Sequence, residues 1–567
     1  MHGPTLPISE ETHAAKYRQP GETYRDSVGR VANALKDDQP HYRKFREIMM
    51  EMRFWPAGRV LSAMGATKTV TPYNCFVSGT IEDSFVEGAG SIMERATEAA
   101  ATMRVGGGIG YDFSTLRPRG DMIRKLASQA TGPISFMEIY DAVCRCVCSS
   151  GHRRGAQMGV LRIDHPDIEE FIRAKHNQTS LTGFNISVAI TDDFMDCLAA
   201  NRPFALKYGG KTYREIDPQA LWDTLMRSTW DWAEPGVLFI DTINRMNNLW
   251  YCETIAATNP CGEQPLPPYG ACLLGSFNMT KYLQSDGTID FAQLRKDIPH
   301  VVRAMDNVVD RAEYPLPEQG REARAKRRMG LGIMGLANAL EPQGLPYGSP
   351  GFLTLQARIH EVIRDECYKA SIELAMEKGD FAKLDRTKYC DGEFIQTLPK
   401  ELIDDIRRHG IRNSHLTSIA PTGTISLCAD NVSSGIEPVF AYEYDRTVIE
   451  ASGPRTETIQ DYGVRVLGHK GKRACDVTVQ EHVSVLTTAA RYVDSAVSKT
   501  CNIPGETSWE AFKDVYVQAY NGGAKGCTTF RTDGKRAGIL VTKDNEAPSE
   551  EGLTCQIDPV TGRRSCE

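Results

Sequence analysis

Three residues of one short segment have side chains suited to catalysis: Asn259, Cys261 and Glu263. They alternate along the chain, and alternate residues of an extended segment project to the same side. A hydrogen-bonding amide, a thiol and a carboxylate that can act as a general base would then share one space. Pro260 and Gly262 favour a stiff loop over a regular strand. Each residue alone fits a polar loop with a buried structural cysteine, whereas the three together favour a catalytic site.

The segment resembles a known loop once the next cysteine is included. Cys272 follows Cys261 by eleven residues, and this pattern is similar to the finger loop of the ribonucleotide reductases. That family makes deoxyribonucleotides through a cysteine thiyl radical at the tip of the loop. The resemblance implies that Cys261 is the radical that abstracts the 3′ hydrogen of the ribose. It also implies that Glu263 takes the 3′-hydroxyl proton and that Asn259 holds the sugar hydroxyls.

Two further cysteines would supply the electrons. Reduction at the ribose 2′ carbon takes two electrons, which a dithiol provides when it becomes a disulfide. Cys75 follows Asn74 in a segment that is predicted to be the end of a strand. The resemblance implies that Cys75 and Cys272 face Cys261 and that Asn74 contacts the substrate.

Two glycine-containing segments are predicted to approach the substrate. Gly107 lies in a run of three glycines, which permits a ligand to come close to the backbone but equally fits a helix end followed by a turn. The second segment consists of Pro421, Thr422, Gly423, Thr424, Ile425 and Ser426. A hydroxyl-rich turn before a helix offers N–H groups to an anion. Its order resembles the substrate-phosphate loop of class II ribonucleotide reductases, which implies that it binds the phosphates of a ribonucleotide.

Four residues resemble the family's specificity site, where a deoxynucleotide or ATP effector binds at a homodimer interface. Asp83 and Ser84 form the expected pair after Cys75, and Arg124 follows the Gly-Ile-Gly motif by fourteen residues. Arg154 lies in a basic glycine loop that would join the effector to the substrate. Guanidinium groups suit phosphate binding, although each arginine also fits a solvated surface charge.

The C-terminal segment carries Cys555 and Cys566 on a stretch rich in Glu, Pro, Gly and Arg, which predicts a mobile tail. The family uses a C-terminal cysteine pair to reopen the active-site disulfide by thiol exchange. The ten-residue gap between these two cysteines departs from the closer spacing common there. The resemblance implies a thioredoxin- or glutaredoxin-like protein as the external reductant.

The segment 524–531 indicates the source of the radical. Class I enzymes receive it through two adjacent tyrosines near this place, and here the sequence has no such pair. Its Lys-Gly-x-Thr-x-aromatic-Arg pattern resembles the class II enzymes, which use adenosylcobalamin (coenzyme B12). Two alternatives stay open: a class I large subunit that needs a separate metal-containing radical subunit, and a non-catalytic deoxynucleotide-binding regulator. A mere regulator would need none of the three cysteines Cys75, Cys261 and Cys272.

Composition excludes several classes of protein. The 567-residue chain is 41% hydrophobic and has a net charge of −7, which gives no reason to expect nucleic-acid binding. It has no long apolar run and no signal sequence, so we expect no membrane association and a cytoplasmic location. Its 16 cysteines lack paired metal-ligand spacing, and no metal site is predicted.

The elements that must position these residues alternate between helix and strand to about residue 540, which predicts an α/β fold. We expect a short helical segment over 1–50, too short for an ATP-cone, a catalytic barrel over 51–540 and the tail over 541–567. Helices are predicted over 24–35, around 42–52 and over 82–103. The Gly-x-Gly-x-x-Gly motif at 330–335 lacks a preceding strand, so we interpret it as helix packing, not dinucleotide binding. The resemblance implies a ten-stranded α/β barrel with the finger loop through its centre. It also implies a ribonucleotide substrate, for which we expect diphosphates although the sequence does not distinguish them from triphosphates.

Overall fold

The computed structural model describes residues 3–68, 70–147, 156–176, 179–450, 453–531, 534–535, 541–542, 555–557 and 564–566. Arg154, predicted for the effector site, lies outside these residues. For the two short tail strands, only the backbone is described.

The helices of the described residues are α1 (Pro7–Tyr17), α2 (Tyr24–Leu35), α3 (Gln39–Met50), α4 (Gly58–Ala63), α5 (Ile92–Arg104), α6 (Pro133–Cys146), α7 (Ile168–Arg173), α8 (Asp192–Ala200), α9 (Pro218–Trp232), α10 (Ile240–Arg245), α11 (Phe291–Arg311), α12 (Pro317–Lys326), α13 (Leu336–Leu340), α14 (Pro350–Lys378), α15 (Arg386–Asp391), α16 (Lys400–His409), α17 (Gly423–Cys428), α18 (Tyr462–Leu467), α19 (Val479–Ala490) and α20 (Trp509–Asn521). The predicted helix over 24–35 is confirmed, and a capping box at Thr23 explains where it begins. The helix predicted around 42–52 begins slightly earlier, at Gln39.

The strands are β1 (Phe54–Pro56), β2 (Cys75–Val77), β3 (Gly108–Asp112), β4 (Met122–Ile123), β5 (Ser128–Gln129), β6 (Gln157–Arg162), β7 (Phe184–Ile190), β8 (Phe204–Tyr208), β9 (Lys211–Ile216), β10 (Gly236–Phe239), β11 (Ala257–Thr258), β12 (Pro265–Leu266), β13 (Ala271–Cys272), β14 (Leu274–Asn278), β15 (Gly330–Met334), β16 (Glu443–Glu450), β17 (Gly453–Gln460), β18 (Thr500–Ile503), β19 (Gly526–Arg531), β20 (Val541–Thr542), β21 (Cys555–Ile557) and β22 (Arg564–Cys566).

The largest sheet has eight strands in the order β13-β2-β3-β6-β7-β10-β19-β18. The five strands from β2 to β10 are parallel neighbours. β13 runs antiparallel to β2, and β19 runs antiparallel to β10 but parallel to β18. Nearly every residue of β6 and β7 is buried, as expected for parallel strands covered by helices. The predicted α/β class is therefore confirmed.

A second sheet, β1-β14-β15, continues from the first, because only Leu273 separates β13 from β14. Its strands β14 and β15 are parallel. Isolated parallel bridges then link Leu331 to Thr417 and Ile419 to Val497. Backbone pairing thus runs from β14 and β15 through residues 417–419 to the segment just before β18.

Two predictions of local structure are wrong. Residues 82–91 are not helical, because Gly88 and Gly90 adopt positive φ angles and Ser91 caps a helix that begins only at Ile92. Residues 330–334 form the buried strand β15 and not a helix contact. A Cβ atom at Gly332 would lie 2.2 Å from a backbone oxygen, so glycine permits the close approach of the neighbouring chain.

The hydrophobic core covers both faces of these sheets. One large cluster packs α2, α3, α11 and α14 together, and another surrounds β3, β6 and β7 with α5, α6 and α9. Among the described residues, no helix is both long and apolar enough to cross a bilayer.

Candidate active site

The segment that holds Asn259, Cys261 and Glu263 is the tip of a short hairpin between β11 and β12. The N–H of Gly262 donates to the carbonyl of Asn259 at 3.1 Å, and the N–H of Gln264 donates to the Asn259 side chain at 3.0 Å. Gly262 has a φ of +81°, which favours glycine. The expectation of an extended segment is therefore wrong, because a turn, and not strand alternation, gathers these residues.

The hairpin lies directly against the large sheet. A Cβ atom at Gly110 on β3 would come within 1.8 Å of the Thr258 carbonyl oxygen, so only glycine allows this contact. The side chain of Asn185 on β7 donates to the carbonyl of Pro260 at 3.0 Å. These contacts fix the base and one side of the tip.

The opposite side of the tip is held by the segments that the isolated bridges connect. The carbonyl oxygen of Glu263 accepts from the Ser418 hydroxyl and from the N–H of Ala496, both at 2.9 Å. The tip therefore spans the space between β7 and residues 418 and 496, and its backbone is anchored on both sides.

Beside the tip is a cavity of about 530 Å³. Cys75, Cys261 and Glu263 line it together with Asn74 and residues 421–425. The structure thus brings Cys75, Cys261, Glu263 and most of the phosphate loop to one space large enough for a nucleotide. Asn259 and Cys272 are fully buried and do not line it.

Several polar atoms at this site are buried and form no hydrogen bond with the described residues. They are Asn74 Oδ1, Glu263 Oε2 and Thr424 Oγ1. The Asn259 amide lies beside the Glu263 carboxyl. Buried polar groups in proteins are nearly always paired, so a cluster of exceptions calls for an explanation. The hydroxyls and phosphates of a bound substrate would supply the missing hydrogen-bond partners.

Burial raises the pKa of Glu263 to about 7, and the nearby side chains of Asn259 and Cys261 offset part of the rise. The residue is only 1% exposed. A carboxyl with a pKa near neutrality is suited to accept a proton and to return it.

Cys75 and Cys272 lie directly opposite each other on the antiparallel strands β2 and β13. Opposite residues of such strands have Cα atoms about 4.5–5.5 Å apart, within the range of a disulfide. Cys272 is fully buried and its pKa is raised well above the ordinary value by that burial and by Cys75. A Cβ atom at Gly108 would lie 3.3 Å from the Cys75 sulfur and 3.2 Å from Pro260, which places this dithiol beside the hairpin tip.

The predicted phosphate loop has an unusual backbone. Thr422 adopts a φ of +57°, a strained value for a threonine, and its hydroxyl accepts from the N–H of Gly435 at 2.8 Å. Helix α17 begins at the next residue, so the N–H groups of Gly423 and Thr424 have no partners within the helix. Ser426 is not in the cavity lining; its hydroxyl donates to the Gly423 carbonyl at 3.2 Å.

The glycine run contributes differently from the prediction. Gly106 and Gly108 line the cavity, whereas a Cβ atom at Gly107 would meet the ring of Phe76 at 2.8 Å. Gly107 therefore serves close packing behind the cavity wall.

Of the predicted effector residues, Asp83 forms an ion pair with Arg117 at 2.7 Å and accepts from the Tyr208 hydroxyl at 3.2 Å. Arg124 is exposed at the turn between β4 and β5, and Ser84 is half-buried. Sequence reasoning missed Arg117, because nothing in its neighbourhood links it to a carboxylate 34 residues away.

The sheet, the hairpin and the cavity together form an α/β protein in which thiols, a carboxyl and a hydroxyl-rich turn share one space. The chain matches the family described as ribonucleotide reductase, barrel domain, over residues 73–530. It therefore belongs to the ribonucleotide reductases, which are oxidoreductases.

Curated relatives extend over most of the chain. The vitamin B12-dependent ribonucleoside-diphosphate reductase of Mycobacterium tuberculosis is 33% identical over 97% of this chain and 81% of its own length. The protein of that name from Thermoplasma acidophilum is 35% identical over 90% of this chain and 68% of its own length.

Proposed function

We propose that this chain reduces ribonucleoside diphosphates to 2′-deoxyribonucleoside diphosphates, with adenosylcobalamin as cofactor and a dithiol as reductant. The observation that carries the proposal is the cavity that Cys75, Cys261 and Glu263 share with residues 421–425. The names of the two relatives support the diphosphate substrate and the cofactor.

In the proposed reaction, the Cys261 thiyl takes the 3′ hydrogen of the ribose. Glu263 accepts the 3′-hydroxyl proton while Asn259 holds the sugar hydroxyls. The bond between the 2′ carbon and its oxygen breaks and the oxygen leaves as water. Cys75 and Cys272 supply two electrons and two protons and become a disulfide; one proton completes the water and the other is added to the 2′ carbon. Glu263 returns its proton to the 3′ oxygen, and the hydrogen atom on Cys261 returns to the 3′ carbon.

Two observations fit adenosylcobalamin. Cys261 is half-buried and opens to the cavity, so a bound cofactor can reach its sulfur. The sequence contains no two adjacent tyrosines, the feature through which class I enzymes receive their radical. When bound, the cofactor would supply the radical that removes the hydrogen atom of the Cys261 thiol.

We also propose that the strands close into a ten-stranded barrel around the hairpin tip. The ring would consist of β2, β3, β6, β7, β10, β19, β18, residues 417–419, β15 and the continuous pair β13 and β14. The parallel bridges at Leu331 and Ile419 support this closure. The anchoring of the tip to both β7 and residue 418 supports its central position.

The effector site is proposed at Asp83, Ser84, Arg124 and Arg154, at the interface of a homodimer. The position of the β4–β5 turn supports this site, since Lys125 on the turn pairs with Glu87 at 3.1 Å. We add Arg117 to this proposed site because it forms an ion pair with Asp83. A deoxynucleotide or ATP would bind there.

Anaerobic turnover of CDP and CTP with a small dithiol tests the function. We expect deoxynucleotide from CDP only when adenosylcobalamin is added, because this chain has no tyrosine pair for another route. Product without the cofactor would contradict the assignment of radical source. Bound nucleotide without product in either condition would indicate a missing radical subunit.

The tail gives a second prediction. β21 and β22 pair antiparallel with Cys555 directly opposite Cys566, a backbone spacing compatible with a disulfide. Cys555→Ser or Cys566→Ser is therefore expected to slow turnover at least tenfold with a thioredoxin-like reductant and to spare it with a small dithiol. Steady-state rates with both reductants measure this, and equal loss with both would refute the shuttle.

A further inference from the structure

The cavity that holds Cys261 is lined by more cationic than acidic side chains. Five cationic side chains line it: Lys16, Arg18, Arg59, Lys68 and Arg104. Among the described lining residues, Glu263 is the one carboxylate, although the whole chain has a net charge of −7. Such a concentration of positive charge in a cleft attracts a ligand with several negative charges.

Most of these cations have a simpler explanation. Arg18 forms an ion pair with Glu10 at 2.6 Å. Arg104 is exposed in the last turn of α5, where positive charge favours the helix. Lys68 is exposed and fits a solvated charge. Arg18 is therefore already paired, and Arg104 and Lys68 are solvated.

Arg59 differs because its guanidinium group is held against the cavity wall. It lies in the first turn of α4, and its Nε and Nη2 atoms are buried. A Cβ atom at Gly106 would lie 2.1 Å from Nη2 and 2.4 Å from Cζ of Arg59, so the group rests directly on the Gly106 backbone. Gly106 has a φ of +91°, a second reason why glycine is required there.

Helix α1 of the N-terminal segment contacts both the start of α4, where Arg59 lies, and the region after the phosphate loop. The ring of Tyr17 on α1 packs so closely on Gly58 that a Cβ atom there would lie 2.7 Å from its hydroxyl. At its other end, α1 is tied to the region that follows the phosphate loop by a hydrogen bond from the Ser9 hydroxyl to the Leu427 carbonyl at 2.5 Å. Residues 7–17 therefore connect Arg59 with the segment 421–428.

We infer that Arg59 binds the terminal phosphate of the substrate diphosphate, in addition to the contacts made by residues 421–425. A guanidinium group donates charge-assisted hydrogen bonds to phosphate oxygens. The inference rests on the proposed function, since it presupposes a nucleotide in this cavity. It assigns to Arg59 the preference for diphosphates over monophosphates.

Calorimetric titration of CDP and CMP into the full-length chain tests this role without requiring turnover. Arg59→Gln is expected to weaken CDP binding roughly ten- to hundredfold, the effect of losing charge-assisted hydrogen bonds. CMP binding is expected to change less than about threefold. Arg407→Gln is the matched control, because Arg407 is exposed on α16 and its carboxylate partners are 3.6 and 3.8 Å away.

The outcomes separate the two proposals. Equal weakening of CDP and CMP, or unchanged CDP binding, would overturn the role of Arg59 while leaving the proposed function intact. A wild-type chain that binds neither nucleotide would refute the proposed function and this subsite with it.

If Arg59→Gln does not fold, as judged by circular dichroism, Gly106→Ala displaces the guanidinium while keeping its charge. We expect the same selective loss of CDP binding from that variant.

Discussion

Replacing Cys261 with serine is expected to lower deoxynucleotide formation by roughly four orders of magnitude or more, because a hydroxyl cannot replace the thiol as the radical carrier. CDP binding should be unchanged, since the turn at the hairpin tip is closed by hydrogen bonds to the backbone and side chain of Asn259 and serine is close to cysteine in size. Anaerobic single-turnover assays with adenosylcobalamin, combined with calorimetric titration of CDP, measure both quantities.

Cys252→Ser is the matched control for this experiment, because Cys252 is exposed and does not line the cavity. It should retain full turnover. Measurable product from the Cys261→Ser variant above that background would refute the assignment of the thiyl radical.

The pH dependence of turnover should follow Glu263. Burial raises its pKa to about 7, so the carboxyl is protonated at pH 5 and cannot accept the 3′-hydroxyl proton. Wild-type activity is therefore expected to rise as the pH increases through 7. Glu263→Gln should remove this rise in activity near pH 7. It should also lower kcat roughly 10²–10⁴-fold, the usual contribution of a general base. Rates measured between pH 5.5 and 8.5, before and after the substitution, provide the comparison.

The chain offers a close control carboxyl for this measurement. Burial also raises the pKa of Glu341 to about 7, yet Glu341 does not line the cavity. Glu341→Gln should keep the step in activity near pH 7. A step that persists in Glu263→Gln would assign it to another group.

The same pKa shift has a consequence for stability. The folded-state pKa of Glu263 lies above the ordinary value of 4.5, so the folded protein binds this proton more tightly than the unfolded chain. The associated stability is present below pH 4.5 and is lost as the pH rises through about 7. A glutamine at this position carries no charge at pH 8. Glu263→Gln is therefore expected to be at least as stable as the wild type at pH 8.

The residues of the hairpin tip were identifiable from sequence because their types are unusual together. Their geometry was not, because the turn depends on the positive φ of Gly262 and on the Asn259 side chain. The glycines at 330–335 were wrongly predicted to be helix packing contacts for a related reason. What Gly332 accommodates is the backbone of Ser418, a neighbour that no local motif encodes.

Arg59 shows the larger limit of reading a sequence. Nothing about a lone arginine at residue 59 predicts that its side chain lines this cavity. Its position depends on Gly106, 47 residues later in the chain, and on the N-terminal segment, where the N–H of Thr5 donates to Asp430 at 2.6 Å. Such contacts between distant segments become visible only in the folded chain.

The shared cavity also constrains the order of events in a catalytic cycle. Cys272 is fully buried, and the small exposed part of Cys75 faces the space that the nucleotide would fill. A reducing thiol can therefore approach the disulfide only after the product has left. Sugar reduction and disulfide reopening would alternate as two half-reactions with ping-pong kinetics, and excess nucleotide would compete with the reductant for the oxidised enzyme.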